Sequence, residues 1–549
     1  MGVDSDRLRK QLKAAFRLRS YSLKRDALEY AVTILSEFDD SQRSRWIERI
    51  IDSISKLTLS SPLLSLETFQ SAVAICANKK SKSESLFNVF DIFSAPRFDY
   101  DDTLNKLVLI SGETSAIGKC EDAVNLLRDR LKFVTQRVLR STAFERYHLS
   151  TVETLLGSAN KTDNVIVLGM LTQSSADSFQ LEDLTGSMPV DLRNATFHSG
   201  LFTDGCIMLL EGSYNAGLLT VSGVGLAPIE TADATRSFFG NENWFGGDST
   251  VAYRTIPRLR SANAKNTDAR IVFLSDVFLD DPTVMKGLYN LLAGFSESPP
   301  IAFVFCGNFC SCAGTPDAYS RLVDGFRHLA NIITEHLDEH SQLSESRFVF
   351  VPGPDDPSLS TFLPRPPLPF ALFELMSKVP NCSFASNPCR IQYANQEIVV
   401  LRPPLPFALF ELMSKVPNCS FASNPCRIQY ANQEIVVLRH DVIEKMCRNS
   451  IHMPSTTRDI ADHFCRTIAS VGHLTPLPLH ISPVLWQMDY CLRLYPLPDV
   501  VIVADQFQQF EISEHDCLFA NPGSFARSQL EFHVYYPSAG EIEPSSVNL

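Results

Sequence analysis

At 549 residues the chain is too long for a single core, and three or four domains are expected. Apolar residues make up 45% and charged residues 20%, the balance of a globular protein, and no apolar run reaches the ~18 residues that cross a bilayer. A formal net charge of −13 argues against a surface built to coat nucleic acid.

Residues 1–75 read as a helical module. Leu8, Leu12, Ala15 and Phe16 share one helical face, as do Ala27, Tyr30, Ala31, Ile34, Leu35 and Phe38. Trp46, Ile50, Ile51 and Ile54 mark a third helix, and SLETF (65–69) starts another. The leading edge is basic, with eight Lys/Arg against two Asp through Arg25, which reads as a solvated face or a docking surface. The start lacks the apolar core of a signal peptide, and Asp4 and Asp6 argue against a transit peptide.

Residues 76–150 read as linker and helices. KKSKSES (79–85) is a polar break. FNVFDIFSAPRFDY (87–100) is rich in aromatics, which are expected to pin the linker to a domain surface. Residues 120–148 read as an amphipathic helix pair.

From 151 to 260 the period shortens. NVIVLGML (164–171), SFQLEDL (178–184), GSMPVDL (186–192), GCIMLLEGSY (205–214) and LLTVSGVGL (218–226) predict a small β-barrel of OB type. A groove for single-stranded nucleic acid needs cations and stacking aromatics. Between Asp163 and Glu230 stand eight carboxylates and one cation, Arg193, so phosphate repulsion favours a protein-binding barrel.

Residues 261–549 read as an α/β domain. Strands ARIVFLSD (269–276), PPIAFVFCGNF (299–309) and SRFVFVPGPDDP (346–357) alternate with helices over 284–295 and 319–337, and DVVIVADQF (499–507) is a further strand. Loops at the C-terminal ends of such strands are where α/β sheets place their sites. The 14 Cys are scattered as reduced thiols of an intracellular protein. Cys306, Cys310 and Cys312 cluster without a fourth ligand at zinc spacing.

Three strand ends, SDVF, CGNFCS and VPGPDDP, resemble in order the D-x-H, G-D-x-x-D and G-N-H-D/E loops of calcineurin-like metallophosphoesterases. The resemblance implies a site where carboxylates and imidazoles hold two cations ~3.5–4 Å apart. Asp276 keeps the first Asp, but Phe278 stands where the His belongs. Asn308 and Ser311 replace the two Asp of the second loop. Pro354 and Asp355 replace Asn and His in the third, and Asp356 remains. Ala504 and Asp505 stand where the late G-H-x-H loop belongs, and His473 in GHLTP is a lone imidazole, more often a satisfied structural residue than a ligand. These residues read as remnants, with no catalytic residue, metal or cofactor expected.

An OB barrel before such a domain resembles the second, B-type subunits of replicative DNA polymerases, and the epsilon type in particular. FNVFDIFSAPRFDY, FQLEDLTG, FVFVPGPDDP, LPRPPLP, NPCRIQY, GHLTPLPL and NPGSF carry the likeness over nearly the whole chain. The helical module is similar to the helical piece of AAA+ ATPases, but no P-loop occurs. The resemblance implies a multidomain α+β scaffold in the nucleus: a helical module, an OB-type barrel and an inactive phosphoesterase-like sandwich. Its implied partners are the C-terminal zinc-bearing region of the catalytic subunit, other small subunits and replication-initiation proteins. DNA would be met mainly through the complex, and no membrane is involved. The alternatives are an active metal-dependent phosphoesterase or nuclease, and a stand-alone single-stranded DNA-binding protein.

The chain departs from the resemblance in one place. RPPLPFALFELMSKVPNCSFASNPCRIQYANQEIVVL occupies 365–401 and, unchanged, 402–438. One copy reads as a helix (369–379), a strand near Cys382–Phe384, and a hairpin of CRIQY (389–393) and EIVVL (397–401) turned at Ala394-Asn395-Gln396. A sheet offers one slot per strand, so only one copy's helix and hairpin are expected to occupy the sheet of the α/β domain, and the other copy is expected to form a peripheral bulge. RPPLP reads as a rigid turn.

Overall fold

A computed structural model describes residues 86–549 apart from 113, 176–177, 248, 250, 359–360, 369–381, 386–388, 394–420, 423–424 and 455–459. Before residue 86 it describes 9, 12, 15–16, 22–35, 47, 50, 63–64 and 69. Residues 1–84 and 85–549 form two compact units.

In the first unit, α1 (Arg25–Leu35) places Ala27, Leu28, Ala31, Val32 and Leu35 on one stripe. They are buried with Leu12, Phe16, Ile47, Ile50, Leu64 and Phe69. Ser22–Leu23 pairs in parallel with Leu63–Leu64, which helical periodicity does not announce. Leu8, Phe38, Trp46, Ile51 and Ile54 lie outside the described residues.

The second unit opens with β1 (Phe87–Asp91). The first five residues of the aromatic stretch expected to pin a linker are thus a strand of the large α/β domain itself, while Phe98 and Tyr100 pack on Phe133 and Trp244. Next comes α2 (Cys120–Arg140), a single helix where a pair was expected. Ser141 turns extended at ψ 129° and ends it, and its side chain caps the short 3-10 turn Thr142–Phe144.

The barrel consists of β2 (Thr162–Ser175), β3 (Ser178–Glu182), β4 (Ser187–Asp191), β5 (Ile207–Asn215) and β6 (Leu218–Gly225). Pairings β2–β3, β3–β4, β2–β5 and β5–β6 are antiparallel, and the parallel β4–β6 pair, Leu219 opposite Val190, closes the ring. Strand alternation sends Val165, Val167, Met208 and Leu210 into the barrel core. It sends Leu168, Ile207 and Leu209 outward onto Leu131, Val134 and Val138 of α2. Gly212 lies at a bulge, where an added Cβ would meet the Thr220 carbonyl oxygen at 2.2 Å.

The α/β domain contains β7 (Ile271–Leu274), α3 (Pro282–Gly294), β8 (Ala302–Cys306), α4 (Ala318–Glu339), β9 (Arg347–Val351) and β10 (Cys382–Ala385). Then follow β11 (Cys389–Tyr393), β12 (Cys426–Tyr430), β13 (Gln433–Arg439), α5 (Ile460–Val471) and β14 (Val500–Ala504). The last strands are β15 (Phe510–Glu514), β16 (Cys517–Asn521), β17 (Glu531–Tyr536) and β18 (Glu541–Ser546).

One sheet runs β10-β9-β8-β7-β17-β18, with Phe421–Ala422 beyond β10. The other runs β11-β1-β12-β13-β14-β16-β15. Residue parity shows how they stack. Ile271, Phe273, Val304, Val349, Ile435, Val437 and Ile502 share one core between the sheets. Their neighbours Val272, Phe303, Phe305 and Phe348 pack on α3 and α4, and Val436, Leu438, Val501 and Phe519 pack on α5. The result is four layers, helix–sheet–sheet–helix, with strands buried on both faces; hence their continuous apolar runs. The hairpin expected at Ala394–Gln396 lies outside the described residues; the second copy makes it between β12 and β13. Strands of both copies enter the sheet, against the expectation of one copy in the sheet and one peripheral bulge, because β1 offers a free edge on each side and takes β11 on one and β12 on the other. The helix expected at 369–379 also lies outside them.

Candidate functional site

The ends of β7, β8, β9, β13 and β14 bring Asp276, Asn308, Asp355, Asp356, Arg439 and Asp505 to one side of the two sheets. The loops interlock without room for side chains. A Cβ on Gly307 would lie 1.9 Å from Asp356 Oδ2, and one on Gly353 would lie 2.3 Å from Asn308 Oδ1.

Arg439, wholly buried, is the centre of this cluster. Its Nη2 donates to Asp276 Oδ1 at 2.6 Å, and Nη1 donates to Asp441 Oδ1 at 2.8 Å and to the Ala504 carbonyl at 3.2 Å. Nε donates to the Gly307 carbonyl. Burial opposes the guanidinium charge, but Asp276 and Asp441 more than offset it and raise its pKa. Asp276 Oδ1 also accepts from the Asn308 N–H at 3.3 Å. Asp276 adopts φ 52°, and its Oδ2 has no hydrogen-bond partner among the described residues.

The remaining polar groups satisfy one another. Asn308 Nδ2 donates to Asp355 Oδ2 at 3.0 Å, and the Asp355 N–H returns a bond to Asn308 Oδ1 at 2.9 Å. Asp356 accepts from the N–H of Phe309 at 2.8 Å and of Gly353 at 2.7 Å. Burial nevertheless raises its acid to about 6. Arg365 donates to the carbonyls of Gly353 and Asp356. His440 Nε2 lies 3.0 Å from Lys445 Nζ, and burial, then the Lys445 charge, pushes the imidazole well below its ordinary range.

Other residues singled out in the sequence are placed elsewhere or differently engaged. Phe278 is part of the apolar core under α3 and α4. Ser311 is held by Asp280, which accepts from its N–H at 2.8 Å and its hydroxyl at 2.7 Å. His473, read as a remnant of the same site, belongs to another buried network. Its Nε2 lies 3.2 Å from Asp489 Oδ1, its Nδ1 accepts from the Thr475 N–H at 3.1 Å, and Arg130 Nε donates to Asp489 at 3.0 Å. That network keys α2 to the α/β domain, which is why a buried imidazole is needed there. Cys306 is buried between the sheets, and Cys310 bonds Asp280. Sequence reasoning missed Arg439, Arg365 and His440. The available signal was the run Arg-His-Asp directly after the apolar strand.

Family models match along the chain. DNA polymerases epsilon N terminal covers 4–76, and the DNA polymerase epsilon subunit 2-like OB-fold domain covers 120–228. The B-type subunit of DNA polymerases alpha and epsilon matches over 271–403 and again over 402–512. A probable DNA polymerase epsilon subunit 2 of Caenorhabditis elegans is 39% identical, covering 99% of this chain and 95% of that protein. The chain belongs to the DNA polymerase epsilon subunit 2 family. The Homo sapiens subunit 2 is 37% identical with 99% of both chains covered. The B-type subunit of DNA polymerase epsilon from Arabidopsis thaliana is 31% identical, with 98% of this chain and 99% of that one covered. A solved archaeal phosphodiesterase aligns over 50% of this chain and 98% of its own at 10% identity, but a TM-score of 0.23 carries no argument. The alpha/epsilon match runs twice and breaks at 402–403, where one repeat ends and the next begins.

Proposed function

We propose that the chain is a non-catalytic accessory subunit of DNA polymerase epsilon, holding the catalytic subunit's C-terminal zinc-bearing region. It works in the nucleus, links that subunit to other small subunits and replication-initiation proteins, and meets DNA through the assembly. Membership of the subunit 2 family over 99% of the chain supports the accessory role.

The observation that carries the non-catalytic reading is the Arg439 guanidinium bonded to Asp276. Two-metal hydrolysis needs several anionic or imidazole ligands converging on two cations. Here a fixed protein cation already neutralises Asp276, Asp356 is taken up by two N–H groups, and Asp355 by Asn308. Phe278 brings no donor, and His473 is engaged with Asp489. Asp276 Oδ2 is the one oxygen of that carboxylate left for a ligand, too little for a pair of metals. The residues present do not fit a catalytic metal pair, and the site's polar groups lock the loops together instead.

The same reading places the catalytic-subunit contact on the barrel and α/β domain, with residues 1–75 as a separate module, 76–150 as connection, 151–260 as barrel and 261–549 as the phosphoesterase-like domain. Support comes from the independent compactness of 1–84 and from a groove of about 570 Å³ that the barrel (Leu209, Glu211) and the α/β domain (Arg466, Glu514) line together. Copurification with the catalytic subunit's C-terminal region tests it. Deleting residues 1–75 is expected to leave the pair intact, and loss of binding on that deletion alone overturns the placement. Phosphodiester hydrolysis that needs added metal and vanishes in Asp276→Ala would overturn the non-catalytic reading.

A further inference from the structure

The C-terminal end of α4 reads Glu335-His336-Leu337-Asp338-Glu339, followed by His340. Residues three and four apart share a helix face, so 336, 339 and 340 lie together. One donor atom from each of His336, Glu339 and His340 lies within 4.8 Å of the other two. His336 is only 2% exposed, yet neither of its ring nitrogens has a hydrogen-bond partner among the described residues. The Tyr289 ring lies against it at 4.5 Å, and the Tyr289 backbone comes within weak hydrogen-bonding reach of one imidazole nitrogen. Buried polar atoms are nearly always paired, so a buried imidazole with one nitrogen weakly engaged and the other unmet leaves that second nitrogen open to a ligand.

We propose that His336, Glu339 and His340 bind a divalent transition metal, zinc by preference, with water in the remaining position. Two imidazoles and one carboxylate are a donor set that suits zinc, and three protein ligands leave a fourth tetrahedral place open. Bonds of about 2.0–2.2 Å put tetrahedral donors roughly 3.3 Å apart, so rotation of Glu339 and His340 on the solvent side closes the set. Glu339 is exposed and His340 half-buried, which gives the ion a way in. The helix's C-terminal carbonyls add partial negative charge at the same end. The Tyr289 backbone is positioned to accept the N–H of His336 that the metal leaves free, the usual outer support of a metal-bound imidazole. This site lies apart from the strand-end loops and does not depend on their role.

The test uses the isolated full chain, stripped with a chelator and offered zinc chloride alone, with retained metal counted after gel filtration. One zinc per chain and a raised Tm are expected. His340→Ala and Glu339→Gln/His340→Ala change solvent-side positions and leave His336 in the core. They should abolish the Tm rise and weaken zinc by more than the roughly 10–100-fold that losing an outer partner costs. Asp355→Asn, in the strand-end loops, should keep full zinc. Zinc retention undiminished in the double variant, or no retention by the unaltered chain, overturns the proposal.

Discussion

The strand Cys-Arg-Ile-Gln-Tyr stands in the second sheet as β11 and again as β12, one from each copy of the repeat. Both run antiparallel to β1, and Val89 is the register partner of both Ile391 and Ile428. They part at β13. β12 meets it at five positions, from Cys426 opposite Val437 to Tyr430 opposite Gln433, whereas β11 meets it at Cys389 opposite Val437 alone. Identical letters cannot cause that difference; the residues chained to them can. The turn at Ala431, with φ 50°, delivers the second copy directly into β13, and β13 carries Arg439 into the buried ion pair. At the other end Arg365, from the first copy, bonds the Gly353 loop. The head of the first copy and the tail of the second together supply the contacts of one segment. Arg402 follows the first copy as Arg439 follows the second, but Pro403-Pro404 comes next, where the second copy has His440-Asp441. Asp441 clamps Arg439 at 2.8 Å, and a proline pair offers no such carboxylate.

The largest expected effect comes from breaking that tail. Arg439→Met leaves the Asp276 carboxylate buried without its cation, and should cost about 3–5 kcal/mol in chemical denaturation. Asp276→Leu/Arg439→Met should recover much of it, since replacing both partners removes the uncompensated charge. If Arg439→Met costs under about 1 kcal/mol, Arg402 has taken the place and the copies are interchangeable.

Deleting 402–438 sharpens the comparison from the other side. Because the copies are identical, deleting 365–401 yields the same chain. Loop closure costs only about 0.6 kcal/mol per doubling of length, so removing the extra segment should stabilise by about 1 kcal/mol or less. Freedom from a second set of apolar strand residues should reduce aggregation more visibly, read by light scattering on heating. Partner binding should not change. A deletion variant that unfolds, or loses the catalytic subunit, means both copies are structural.

The smallest effect concerns the segment that only the second copy leads into. Asp505 accepts from the Ile443 N–H at 3.0 Å and the Phe507 N–H at 2.9 Å. Burial, then the Asp441 charge, raises its acid to about 7. An unfolded Asp titrates near ~3.9, so between those values the folded chain holds a proton that the unfolded chain has released. Stability from this group therefore falls as pH rises through about 7. His440 and His533, pushed down by burial, pull the other way. The difference between Asp505→Asn and the unaltered chain isolates the acid. It should shift by about 1 kcal/mol in favour of Asn between roughly pH 6.5 and 8. A pH-independent difference would show that Asp505 is ionised throughout.

How much of this is legible in the sequence follows from what each residue's neighbours are. β7, β8 and β9 announce themselves because strands covered on both faces must be apolar throughout, as in Ile-Val-Phe-Leu. The barrel strands are readable from alternation and from the Gly and Asp between them. β15 is harder to read, since its alternation of half-buried Phe510 and Ile512 with exposed Glu511 and Ser513 rests on only two apolar residues. β1 reads as a pinned linker because a polar break precedes it, while its partner β12 lies far along the chain. Arg439 is invisible for a different reason: composition rules put Arg at the surface, and only the folded loops reveal the carboxylates around it. His473 is the satisfied structural residue that a lone imidazole more often is, but sequence could not name its partners, because Arg130 and Asp489 are remote or unremarkable in the chain. His336 and His340 pass as members of an amphipathic helix, although the spacing H-x-x-E-H is there to be read.

The placement of β1 also sets a timetable. Phe87 lies opposite Tyr430, 343 residues later (430 − 87). A ribosome adding roughly 5–20 residues per second takes roughly 20–70 s to cover that distance. Throughout that interval the strand has emerged and its place between β11 and β12 is incomplete. The barrel can close in the meantime, because all its strands have been made by Gly225. The domain that shelters β1 cannot. A newborn chain therefore carries a sticky, aromatic strand ahead of a finished barrel, and a chaperone that shields it until β12 and β13 arrive would protect assembly more than any later rescue.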